Sequence, residues 1–210
     1  MRVYGLIVAI GKINKNPTQG FGLMDTGRPR LLTRRVLLYY LLTFILLALG
    51  EALGYLLSIS GIKVIPSSEL QELEQLAQHP SPMVIFRHNL TLNLLMNIPF
   101  IGPVIYVFLI GFTGAALGYI VVARMGLSII YLIAAYVTSA VLPHGLLELF
   151  SYSLSAYNSV DVSVNLIKRR YIAASLTHWV IRLVISMVIL FIAAYVEYIE
   201  LTIAGAFANV

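Results

Sequence analysis

Three stretches of this chain are so long, so apolar and so poor in charge that only membrane-crossing helices accommodate them. Phe100–Ala123 runs for 24 residues without one Asp, Glu, Lys or Arg, and Arg124 follows at once. Val36–Ser60 runs for 25 residues with a single charge, Glu51. Tyr171–Val196 follows directly on Lys168, Arg169 and Arg170. About 20 apolar residues in a helix cross a hydrocarbon layer of roughly 30 Å. The whole chain agrees: 60% of its residues are hydrophobic and 11% charged, against about half and about a quarter in soluble domains. That composition excludes a soluble enzyme, a disordered regulator and a nucleic-acid-binding module. Having no cysteine, the chain also has no disulfide, iron–sulfur cluster, thiolate zinc site or Cys nucleophile.

Basic residues orient the spans. Seven of the 14 Lys and Arg precede the first apolar run, which reads as a signal anchor with its basic end in the cytosol. Two further stretches are ambiguous. Met83–Ile98 is short, carries Arg87, His88, Asn89, Asn93 and Asn97, and ends at Pro99. Leu127–Val164 is too long for one span and contains Pro143-His144-Gly145, which breaks it into the pair Leu127–Leu142 and Gly145–Val160. If Met83–Ile98 stays on one side as a re-entrant or interfacial helix and the pair crosses twice, five spans result. The seven N-terminal charges, Arg124 and the Lys168 triplet then lie inside, eleven in all, with Lys63 and Arg87 outside. The expected architecture is all-α and polytopic, with about five transmembrane helices, the re-entrant or interfacial helix and a helix broken at Pro143. Residues 1–35 form a basic cytosolic segment and 36–210 a single helical membrane domain with an external C-terminus. An acidic amphipathic helix is expected outside over 67–78, from the capping spacing of Ser68 and Gln71 and the stripe Leu70, Leu73, Leu76 and Ala77. It rests on its own domain or docks a partner helix.

Ionisable residues at membrane depth are costly unless paired or hydrated, so each is a candidate site. Glu51 lies between Gly50 and Gly54, and the same small-residue spacing recurs at Gly114 and Gly118. Such pairs let helices approach closely, inside one chain or across a homodimer. His144 and Glu148 share a helical face just past the break, where they satisfy freed backbone groups or each other. A metal would need further ligands from His88, His178 or Glu197, and no HExxH motif is present, so no metal, cofactor or catalytic residue is assigned. His178 and Arg182, flanking Trp179, read as an interfacial anchor with a snorkelling arginine. Asn89, Asn93 and Asn97 form an i+4 row suited to hydrogen bonds across helices.

Asn89 before an apolar run, Gly114 and Gly118, Pro143-His144-Gly145 followed by Glu148, and Ala193–Glu197 occur in one order. That order resembles the stage II sporulation protein M family of integral membrane proteins, from about Arg35 to Thr202. The resemblance implies a membrane fold and a set of positions: Asn89, Gly114, Gly118, His144, Gly145, Glu148 and Glu197. It also implies a non-enzymatic scaffold or assembly factor that holds a membrane or extracytoplasmic protein partner in the lipid bilayer. The competing expectation is a small transporter or channel using Glu51, His144 and Glu148. Neither involves nucleic acid.

Overall fold

Six helices and no strand make up the described part of the structure, a computed structural model that covers residues 33–66, 81–169 and 172–208. The expected acidic helix over 67–78 and nearly all of the 1–35 segment lie outside the described residues. The helices are α1 (Arg34–Ile59), α2 (Pro82–Met96), α3 (Gly102–Met125), α4 (Ile129–Ala140), α5 (Pro143–Ile167) and α6 (Ile172–Ala208). Local chemistry sets their ends. The Thr33 hydroxyl accepts the Val36 amide at 3.2 Å to open α1. Prolines stand in the first turn of α2, α3 and α5, where the missing N–H has no partner to lose. Gly126, at φ +81°, stops α3 in a conformation that side chains disfavour.

The expected break is present. Leu142 is extended, as a residue before proline tends to be, and α4 and α5 meet at 66°. By length and composition α1, α3 and α6 are long and apolar enough to cross a membrane, and the bent pair α4–α5 adds a fourth span if counted as one. That is fewer than the five expected, because α4 has only 12 residues and does not cross alone.

Helix directions also differ from the sequence expectation. Thr43 bonds Tyr106, and a methyl added at Gly114 or Gly118 would run into the carbonyl oxygens of Leu47 or Glu51, respectively. Residue numbers thus rise together along both helices, so α1 and α3 run parallel. An α2 confined to one end of the bundle would make them antiparallel. Instead α2 carries the chain back: Asn97 at its C-terminal end meets Asn158 of α5, whereas Ser81 at its start shares a cavity wall with Leu201 of α6. The same reasoning makes α4–α5 one descending limb. Arg124 therefore lies at the Ser60 end of the bundle, opposite Arg34, Arg35 and Lys168. The expectation differs in letting α4 and α5 each cross, whereas α4 has 12 residues and packs back on α5 through Gly145, whose Cα abuts the Ser139 carbonyl.

On α1 large apolar residues dominate the exposed side and small or polar ones the buried side. Leu38, Leu41, Ile45, Leu49, Leu53 and Leu56 form the exposed side of α1, and Thr43, Gly50, Glu51 and Gly54 its buried side. This inversion suits a chain solvated by lipid, where burying leucine brings little gain and burying polar groups against each other avoids a large cost.

Candidate functional site

Residues widely separated in sequence converge on one cavity of about 490 Å³ among α2, α3, α5 and α6. α5 has His144, Glu148 and Tyr152 at i, i+4 and i+8, hence on one face. α6 runs antiparallel to it and brings Glu197 to the same wall, near enough to Glu148 for their charges to act on each other. α2 adds His88, exposed at the rim, and Asn89, which is only 6% exposed. The Asn89 amide has no side-chain hydrogen bond among the described residues.

His144 and Glu148 do not pair with each other. His144 Nδ1 is hydrogen-bonded to Glu200 Oε2, and the Tyr152 hydroxyl donates to Glu148 Oε1 at 2.7 Å. His144 reaches across to the facing helix, where α6 presents Glu200, whereas Glu148 takes the Tyr152 hydroxyl of its own helix. Among the described residues no group of three or more His, Asp or Glu is arranged to hold a metal ion.

Below the cavity the bundle is stitched by small polar side chains. Asn93 Nδ2 donates to Ser186 Oγ at 2.9 Å, and its Oδ1 accepts from Ser155. Asn158 Nδ2 donates to Asn97 Oδ1 at 2.9 Å and to the Trp179 carbonyl oxygen at 2.9 Å. Two members of the asparagine row therefore bond across helices as expected, while Asn89 turns to the cavity. Their partners went unread in the sequence. The signal was the spacing of Ser151, Ser155, Asn158 and Ser159, a polar stripe inside a stretch that reads as apolar on average.

Other expected positions fall elsewhere. Glu51 is 2% exposed in the α1–α3 seam, with its Oε1 unbonded among the described residues. There Gly50 and Gly54 face Gly111 and Ala115, and Gly114 and Gly118 face α1, so the two small-residue motifs pack on each other within one chain. Arg182 does not snorkel. It is 6% exposed, its Nη1 lies 2.7 Å from Asp161 Oδ2, and its guanidinium sits 5.0 Å from the Tyr157 ring centroid. Its partner Asp161 on α5 is itself partly exposed. His178 is half-buried, and Trp179 Nε1 donates to the Asn97 carbonyl oxygen at 3.2 Å.

The family model described as stage II sporulation protein M matches residues 43–198. The match takes in Asn89, His144, Glu148 and Glu197 and stops just short of Glu200. No curated protein and no solved structure matches the chain.

Proposed function

The chain belongs to the stage II sporulation protein M family, and we propose that it is a non-enzymatic integral membrane scaffold or assembly factor. One observation carries this reading beyond the family. The interior polar groups of α2, α5 and α6 are engaged with one another through Asn93, Ser155, Ser186, Asn97 and Asn158. Bonds of this kind hold three helices in a single register, and α1 and α3 meet at backbone contact. A bundle locked in this way offers fixed outer faces to partners.

In this reading the chain passes the bilayer five times: α1, α2, α3, the bent limb α4–α5, and α6. The N-terminal charges and the Lys168 triplet lie in the cytosol and the C-terminus outside, so that the positive-inside bias holds with Arg124, Lys63 and Arg87 as exceptions. The 15 residues of α2 reach only about 22 Å. Protein around α2 shields Asn89, Asn93 and Asn97, and local thinning of the bilayer accommodates its length. The partner is a membrane or extracytoplasmic protein docking on the acidic segment 67–78 or the basic N-terminal segment.

Crosslinking and gentle co-purification from native membranes, followed by mass spectrometry, test the proposal. A partner recovered at constant stoichiometry, and lost when Glu69, Glu72 and Glu74 are changed to lysine or the N-terminal segment is removed, is the expected result. Recovery of the chain alone, or only with itself, would overturn it.

A further inference from the structure

The cavity among α2, α3, α5 and α6 gathers two carboxyl groups that no Lys or Arg among the described residues pairs with. Glu148 and Glu197 project from facing helices. The Tyr152 hydroxyl is the donor held by Glu148, and among the described residues no Lys or Arg forms an ion pair with either carboxylate. His144, close enough to Glu197 for their charges to act on each other, is engaged by Glu200. A second observation is independent of the carboxylates. Asn89, more than nine-tenths buried, lines the same cavity with its amide unbonded among the described residues. The Asn89 amide therefore opens onto the cavity as a free hydrogen-bonding group, and an uncompensated pair of carboxylates in a low dielectric is costly.

Most of the rest of the wall is apolar, with Leu92 and Met96 from α2 and Leu109, Ile110 and Leu117 from α3, interrupted by Ser81, His88, Thr113 and Ser139. A volume of about 490 Å³ falls within the range of small-molecule sites built from apolar walls and a few convergent polar groups. It exceeds what a small inorganic ion fills, and the absence of a three-ligand group among the described residues disfavours a metal. An anion would meet two carboxylates.

We propose that this cavity binds an organic cation with an apolar body, an aliphatic amine or ammonium amphiphile. The positive head sits between Glu148 and Glu197 and donates to the Asn89 amide oxygen, and the chain lies along the α2–α3 walls. This goes beyond the scaffold reading and stands or falls without it.

Hexylamine, protonated at neutral pH, and its uncharged counterpart hexan-1-ol are the probes. Each is titrated calorimetrically into the purified full-length chain in phosphatidylcholine nanodiscs, against empty nanodiscs. Saturable binding of one hexylammonium per chain is expected, with hexanol weaker by at least about tenfold, the low end for a close charge pair. Glu197→Gln should bring hexylammonium down toward hexanol, and Leu109→Trp, which fills the apolar wall, should weaken both. Non-saturable uptake, equal binding of the two probes, or a folded Glu197→Gln that keeps the wild-type preference would overturn the proposal. If that variant does not fold, the comparison of the two probes on the native chain decides the matter.

Discussion

Arg182 Nη1 on α6 lies 2.7 Å from Asp161 Oδ2 on α5, and the guanidinium packs over Tyr157 on the same helix. An arginine so held ties the two helices near the Lys168 turn. Asp161→Ala leaves that charge buried without its partner. A loss of about 3 kcal/mol is expected, the low end for a broken buried pair because the Asp161 side chain is 25% exposed. Unfolding of the purified protein in mixed micelles measures it. Asp161→Ala combined with Arg182→Met should cost less than Asp161→Ala alone, and an equal or larger cost would contradict the pairing.

Two glycines on α3 separate close packing from mere helix propensity. A methyl at Gly114 meets the backbone of Leu47 and Glu51, whereas one at Gly111 meets nothing within 4 Å. Gly114→Ala should destabilise by about 1–3 kcal/mol. Gly111→Ala should stabilise by about 0.5–1 kcal/mol through backbone entropy alone. The opposite ordering in the same unfolding assay would refute the parallel α1–α3 seam.

Asn93 joins α2 to both α5 and α6. Asn93→Ala removes its bonds to Ser155 and Ser186 and should cost about 1–2 kcal/mol, as two interhelical hydrogen bonds in a membrane do. Asn89→Ala removes no such bond and should leave stability within about 0.5 kcal/mol. Equal losses for the two would mean that Asn89 has a structural partner after all.

Helix direction can be read chemically, because the chain has no cysteine. With α1 and α3 parallel, single cysteines at Met125 and Ile62 should be labelled by a membrane-impermeant maleimide from one side. One at Lys168 should be labelled from the other. Met125 and Lys168 reacting from the same side would restore the arrangement in which Met83–Ile98 does not return the chain.

Much of the fold was legible in the amino-acid sequence because its causes are local. The transfer of an uncharged 24-residue run such as Phe100–Ala123 into lipid, the steric stop at Pro143 and the small-residue spacing at Gly114 and Gly118 are properties of neighbouring residues. They determined a helical membrane protein, the three principal helices, the break and the set of polar positions to watch. Only the tertiary structure decided what those positions meet. Whether α3 runs with or against α1, whether His144 faces Glu148 or Glu200, and whether Arg182 reaches lipid or Asp161 depend on which helix faces pack together. Hydropathy has no memory of direction, since a span reads the same upward and downward. The cavity belongs to the same class: three helices bring Asn89, Glu148 and Glu197 together, and the register that does so is fixed by serine and asparagine contacts between distant parts of the chain.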